Sequence, residues 1–198
     1  MNRKNVSILG ITLCFTYFII TFGLILSGSQ KWLIAMELVT MASGILMVML
    51  VLVLPLSKTE KMKSYKIMAI IFAAACMVLT NVAHMANLTV TEQLIKNGVN
   101  IPDYLLIGKW PSIEMAIDYL AWGLFMGLAF LFSSFGIENE LKFKKLKITL
   151  IACGSLCIVG FIGAILINQN LWYIAPLGYG IGTVILCFEL LVLNKQVN

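Results

Sequence analysis

Six long apolar segments dominate this sequence, and they restrict the fold more than any other feature. Each is about 20 residues long, the length a helix needs to cross about 30 Å of hydrocarbon. The runs are continuous rather than alternating, which favours helices over strands. We predict an all-α, polytopic membrane protein forming a single bundle of six transmembrane helices. The predicted spans are residues 6–26, 32–54, 67–90, 112–135, 148–167 and 171–193.

The composition excludes a soluble protein. Apolar residues make up 61% of the 198 residues and charged residues only 12%, whereas soluble domains carry about a quarter charged residues. The length leaves no room for a separate catalytic domain, so function must lie in the bundle or its short loops. The five cysteines all fall inside apolar runs and are interpreted as small buried hydrophobic residues.

The basic residues predict the orientation. With both termini in the cytoplasm, the cytoplasmic segments hold Arg3, Lys4, Lys58, Lys61, Lys63, Lys66, Lys142, Lys144, Lys145, Lys147 and Lys195. The outer loops then hold only Lys31, Lys96 and Lys109. This asymmetry follows the positive-inside rule and indicates a multi-pass protein of a bacterial inner membrane. The positive charge is distributed over short loops, so we expect contact with membrane lipids and none with nucleic acid.

Ionisable residues inside the spans are the main functional signal, because burying such groups in lipid is costly. Glu37, His84 and Asp118 each lie about 8–9 Å from the predicted outer end of their helix, at about 1.5 Å per residue. Glu114 lies one helical turn above Asp118, and the four residues predict one polar layer. Glu189 stands apart near the inner end of helix six, where we expect it to extend toward Lys195 or the lipid headgroups.

Helical spacing extends this layer into polar stripes that should face one another rather than lipid. Helix four carries such a stripe, helices two and three carry others, and Tyr179 lies beside Pro176 on helix six. Pro176 predicts either a helix kinked or partly unwound at its outer end, or a helix that begins at this proline. The predicted ligand-binding residues are Glu37, Thr40, Asn81, His84, Asn87, Glu114, Asp118, Trp122 and Tyr179.

The polar layer is compatible with several functions. Our leading hypothesis is a protein that binds or transports a small molecule or ion entering from the outer side. One alternative is an intramembrane enzyme acting on a lipid or isoprenoid, with Asp118 or Glu37 as general base and His84 as acid. Others are a sensor or immunity protein acting through a partner, and purely structural contacts between helices. We predict no metal and no cofactor, because no His-x-x-x-His or Glu-x-x-His pair fixes a ligand geometry.

Two further features bear on partners. Gly123 and Gly127 form a Gly-x-x-x-Gly pair, which predicts close helix packing within the bundle or, alternatively, a seam in a homo-oligomer. Six spans in about 200 residues with an outward-facing site resemble, in architecture, the substrate-binding subunits of bacterial vitamin transporters. That resemblance implies small-molecule binding and an Ala-x-x-x-Ala docking surface on helix one. Here the nearest such pair is Ala69 and Ala73 on helix three.

Overall fold

The computed structural model describes residues 2–56, 59–106 and 109–197. Six helical stretches in this range are long and apolar enough to cross a membrane, which confirms the predicted all-α polytopic bundle. We call them spans one to six: Arg3–Ser27, Lys31–Val53, Met62–Lys96, Ile113–Gly136, Leu141–Ile165 and Asn170–Asn194. Lys58 lies outside the described residues, as do the side chains of Lys61 and Lys195.

The described chain folds into α-helices interrupted by wider π-helical segments. The α-helices are α1 (Arg3–Ser27), α2 (Gln30–Val53), α3 (Glu60–Ala86), α4 (Glu92–Lys96), α5 (Ile113–Asp118), α6 (Met126–Gly136), α7 (Lys144–Ile165), α8 (Gln169–Trp172) and α9 (Gly182–Val197). The π-helical segments are Asn87–Thr91, Tyr119–Phe125 and Leu177–Ile181. Short 3-10 turns occupy Asp103–Leu105 and Leu141–Phe143.

The helix ends follow local sequence chemistry. The Asn2 side chain accepts a hydrogen bond from the Lys4 amide at 2.9 Å and caps α1, and Gly28 ends that helix at φ 58°. The Ser112 hydroxyl accepts from the Met115 amide at 3.2 Å and caps α5. This cap fixes the start of span four, the helix that carries Asp118.

The six spans form a closed ring in chain order. Each span packs against its neighbours in the sequence, and α9 of span six packs back against α1 of span one. We call the half of this bundle that contains both chain termini the terminal half, and the opposite half the distal half. The terminal half is filled by apolar side chains with no solvent exposure, including Leu50, Phe130, Leu150 and Leu190. Its centre is therefore closed, whereas buried polar residues collect in the distal half.

The glycine pair of span four packs against span five of the same chain. A Cβ atom added at Gly123 would lie 2.8 Å from the Phe161 Cβ, and one added at Gly127 would lie 3.0 Å from the Gly154 carbonyl oxygen. Both glycines are buried where span four meets span five. This surface is already occupied, so it is not available as the predicted seam between two copies. The oligomeric state itself stays a prediction.

The close contact between spans four and five predicts a strong effect of one added methyl group. We expect Gly127→Ala to lower the free energy of unfolding by about 1–3 kcal/mol, because the new Cβ would press on the backbone of span five. Gly180→Ala is the matched control, since nothing lies within 4 Å of a Cβ at Gly180. Thermal unfolding in detergent compares the two. Equal melting temperatures for both variants would show that the spans do not pack this closely.

Span three is longer than predicted, and span six follows one of the two predicted alternatives. Span three continues through α4 to Lys96, beyond its predicted end at residue 90. In span six, turn residues 173–174 separate α8 from the rest of the helix. Pro176 cannot donate to the carbonyl of Trp172, and the Tyr119 hydroxyl donates to that carbonyl instead, at 3.2 Å. The structure thus shows span six interrupted at its end in the distal half, as in the predicted kinked or partly unwound helix.

Candidate functional site

The centre of the distal half is an acid–histidine triad, Glu37, His84 and Asp118, contributed by three different spans. The His84 Nδ1 atom forms a hydrogen bond with Glu37 Oε2. The His84 Nε2 atom lies 3.4 Å from Asp118 Oδ1. The structure therefore brings together the three residues that the sequence predicted would converge. One imidazole stands between two carboxylates.

Glu37 is the fixed end of the triad. Its side chain has no solvent exposure, and its second oxygen, Oε1, accepts a hydrogen bond from Asn87 Nδ2 at 3.0 Å. Both carboxylate oxygens thus have partners, as a buried charge requires. An ionised Glu37 can only accept a hydrogen bond, so it favours a proton on His84 Nδ1, and the ring then presents Nε2 to Asp118.

Asp118 is the reachable end of the triad. Its side chain keeps 22% of its exposure, against 5% for His84. The 3.4 Å separation from His84 Nε2 lies within ion-pair range, but among the described residues neither of the two facing atoms has a hydrogen-bond partner. Asp118 is thus attracted to His84 without a hydrogen bond between the two facing atoms. Its carboxylate can therefore take another partner.

The triad holds more acidic than basic groups. Two carboxyl groups face one imidazole, so the triad is net negative when both carboxyl groups are ionised. Among the described residues, no lysine or arginine forms an ion pair with Glu37 or Asp118. A buried site of this sign attracts cations, because charges interact strongly where little water screens them.

The aromatic rings beside the triad were only partly predicted. Tyr119 directly follows Asp118, and its ring stacks on Trp172 with centroids 6.0 Å apart. Tyr179 packs on Trp122. Tyr179 and Trp122 were predicted, whereas Tyr119 was not, because it lies off the helical stripe that contains Asp118.

All three π-helical segments lie next to residues of this region. The segment Asn87–Thr91 begins at the residue that holds Glu37, and Tyr119–Phe125 follows directly after Asp118. The third, Leu177–Ile181, contains Tyr179. A π-helical turn widens the helix and redirects its side chains, and such turns are frequent at functional sites.

The other predicted residues occupy the surroundings of the triad. The rings of Trp122 and Tyr179 pack together with centroids 5.1 Å apart. The Asn81 amide donates to the Met77 carbonyl at 2.8 Å, and the Thr40 hydroxyl donates to the Met36 carbonyl at 2.9 Å. The Asn81 amide also donates to the Met41 carbonyl of span two at 3.5 Å. None of these bonds involves a triad residue, so Asn81 and Thr40 are less directly linked to the triad than Asn87.

Glu114 belongs to a neighbouring contact. It is buried, and its Oε1 accepts a hydrogen bond from the Thr91 hydroxyl at 3.4 Å. Thr91 ends the π-helical segment of span three, so this contact joins spans three and four beyond the triad. The helical stripe that placed Glu114 with Asp118 thus predicted the correct face, but not its partner.

The prediction for Glu189 needs a correction. Its Oε1 accepts a hydrogen bond of 2.9 Å from Thr149 on span five. The carboxylate therefore turns toward a neighbouring helix, and the Lys195 side chain named in the prediction lies outside the described residues. Glu189 lies in the terminal half, apart from the triad in the distal half.

The triad residues do not form a metal-binding group. Across the part of the chain that the structure describes, no three histidine, cysteine or acidic side chains are placed to hold a metal ion. His84 contributes one nitrogen to each of two carboxylates, so its nitrogens are directed at Glu37 and Asp118 rather than at a common centre.

The docking surface implied by the architectural resemblance is absent at the nearest candidate. Ala69 and Ala73 have no solvent exposure and lie in the core of the bundle. They cannot present a surface to a partner protein. Comparison of the chain with protein-family models, with curated proteins and with solved structures finds no significant match.

Proposed function

We propose that this membrane protein binds a small cation at Asp118, with Glu37 and His84 as the charge-balancing support of the site. The observation that carries the proposal is the excess of one carboxylate over the single imidazole, within a buried contact made by three spans. A cation at Asp118 neutralises this charge, and a proton competes for the same carboxylate. Binding and transport of a cation are the functions that this arrangement supports best.

Access is proposed to be from the distal side. The terminal half is closed by apolar side chains without exposure, while Asp118 keeps part of its exposure. With the termini in the cytoplasm of a bacterial cell, as the lysine distribution predicts, the site faces outward. A transporter would in addition have to open the terminal half, which requires rearrangement of packed helices.

The orientation has a direct test. In a background lacking the native cysteines, Asn100→Cys is expected to react with a membrane-impermeant maleimide on intact cells, because Asn100 is exposed in the loop between spans three and four. Asn139→Cys, in the exposed loop between spans four and five, is the matched control and should react only after permeabilisation. The reverse labelling pattern would place the termini outside and the site toward the cytoplasm.

The binding proposal predicts that the protein responds to cations and not to anions. We expect the melting temperature of the detergent-solubilised protein to depend on the identity of the cation at constant ionic strength. The panel is sodium, ammonium, methylammonium and guanidinium chloride. A ligand at 100 times its dissociation constant stabilises by about 2.7 kcal/mol. A matched panel of anions as sodium salts should have no such effect. Identical melting temperatures in all cations would contradict the proposal.

A second candidate function is acid–base catalysis, favoured by the way the imidazole is oriented. Asn87 fixes Glu37, and Glu37 fixes the His84 Nδ1 proton, which leaves Nε2 directed toward the partly exposed Asp118. A general base needs such orientation. Incubating the protein with bacterial lipid extract should then yield a new product by mass spectrometry. Formation of that product by a His84→Gln variant at the wild-type rate would exclude this role.

A further inference from the structure

The atom of Asp118 that faces His84 is not fixed by a hydrogen bond. Among the described residues, Asp118 Oδ1 has no hydrogen-bond partner, although it lies 3.4 Å from His84 Nε2. The position of this carboxylate therefore depends on the backbone that carries it. That backbone is the short helix α5, which ends at Asp118, and the π-helical segment that begins at Tyr119.

The helix α5 is anchored at both ends. At its start, the Ser112 hydroxyl accepts a hydrogen bond from the Met115 amide at 3.2 Å. Directly after its end, the Tyr119 hydroxyl donates to the Trp172 carbonyl at 3.2 Å. This second bond crosses from span four to span six, and it is made by the residue that follows Asp118 in the chain.

The carbonyl that accepts this bond is available and firmly held. Pro176 has no amide hydrogen, so the Trp172 carbonyl lacks the donor that a regular helix would supply four residues later. Trp172 is only 5% exposed. Its backbone packs on span five, since a Cβ atom added at Gly163 would lie 2.6 Å from the Trp172 amide nitrogen. The acceptor of the Tyr119 bond is therefore fixed against a neighbouring span.

The ring of Tyr119 has contacts of its own, separate from the hydrogen bond. It stacks on the Trp172 ring with centroids 6.0 Å apart, and the Trp110 ring meets it edge-on at 5.9 Å. A phenylalanine at this position would keep both ring contacts and lose only the hydroxyl group. The hydrogen bond can therefore be removed without opening a cavity between spans four and six.

Resting on the proposed function, we infer that Tyr119 is a positioning residue, which holds the Asp118 carboxylate where it faces His84 and can bind a cation. Its hydroxyl ties the backbone beside Asp118 to a fixed point of span six. Loss of this bond would let the start of the π-helical segment shift. Cation binding would then weaken, because ordering a site during binding costs free energy that a preorganised site does not lose.

The experiment compares Tyr119→Phe with Tyr173→Phe. The Tyr173 ring also contacts Trp172, edge-on at 5.9 Å, but Tyr173 is exposed and the Trp172 carbonyl is bonded by Tyr119 instead. Titration calorimetry in detergent measures the affinity for methylammonium chloride. We expect Tyr119→Phe to weaken binding about twofold to tenfold, the net effect of one hydrogen bond, and Tyr173→Phe to retain the wild-type affinity.

A second measurement separates positioning of Asp118 from a general loss of stability. The His84 Nε2 resonance, recorded without added cation after selective ¹⁵N-histidine labelling, reports on the facing Asp118 Oδ1 atom. We expect this resonance to move in Tyr119→Phe and to stay in place in Tyr173→Phe. A contact that only stabilised the bundle would lower the melting temperature without moving the resonance.

Two results would contradict the inference, and they are distinguishable. Wild-type methylammonium affinity together with an unchanged Nε2 resonance in Tyr119→Phe, even at a lower melting temperature, would overturn the positioning role and leave cation binding at Asp118 intact. Absence of methylammonium binding by the wild type, in protein that melts normally, would contradict the proposed function and this inference with it.

Discussion

His84→Leu is expected to lower the free energy of unfolding by about 3 kcal/mol, because it leaves the fully buried Glu37 carboxylate without its main partner. Leucine has a volume close to that of histidine, so the loss reports the missing interaction rather than a cavity. Asn87 still donates to Glu37, and the carboxylate can take up a proton, which keeps the cost near the lower end of the range for broken buried pairs. In thermal unfolding this corresponds to about 6–12 °C in Tm.

The double variant Glu37→Leu/His84→Leu separates pairing from packing. It removes both members of the pair, so most of the stability lost in His84→Leu should return. Glu60→Gln provides a matched control at an exposed ion pair with Lys63, where no measurable change in Tm is expected. If His84→Leu melted at the same temperature as Glu60→Gln, the buried pair would not exist as described.

Asp118→Asn is expected to abolish both cation binding and its dependence on pH. In the wild type, a proton and a cation compete for the same negative site, so cation affinity falls as pH falls. One proton exchanged per cation gives a slope of at most about tenfold per pH unit. Among the described residues, His84 is the titratable group in direct contact with Asp118, with its Nε2 atom 3.4 Å from Asp118 Oδ1.

His84 also contacts Glu37, so the pH profile belongs to the cluster rather than to one residue. Asparagine preserves the shape of the side chain but removes its charge. The measurement is cation-induced thermal stabilisation between pH 5 and pH 9 for the wild type and for Asp118→Asn. Glu189→Gln, which removes a carboxylate in the terminal half, should retain the wild-type profile. An identical pH profile in Asp118→Asn would remove Asp118 from the site.

The fold was predictable because lipid imposes a simple length rule. A span must satisfy all of its backbone hydrogen bonds internally, so long apolar runs can only become helices. The triad could be predicted from the sequence for a related reason. Ionisable residues are rare in spans, and Glu37, His84 and Asp118 share one depth, so their side chains had to meet one another or face lipid.

The details that sequence could not supply come from the π-helical segments. Regular helical spacing placed Glu114, Asp118 and Trp122 on one stripe, but Tyr119–Phe125 is π-helical, which shifts every residue after Asp118 around the helix axis. Within that segment, the Trp122 ring packs on Tyr179 with centroids 5.1 Å apart. Hydropathy also cannot tell which helix packs against a given glycine, so the neighbours of Gly123 and Gly127 were left open.

The most direct test of cation binding at the triad uses the fact that His84 is the only histidine in the chain. Selective ¹⁵N-histidine labelling gives one imidazole, whose two nitrogens report separately on Glu37 and Asp118. We expect methylammonium to shift the Nε2 resonance in the wild type while the Nδ1 hydrogen bond to Glu37 persists, and to shift neither in Asp118→Asn. A cation that stabilises the protein but leaves both resonances unchanged would show that it binds elsewhere.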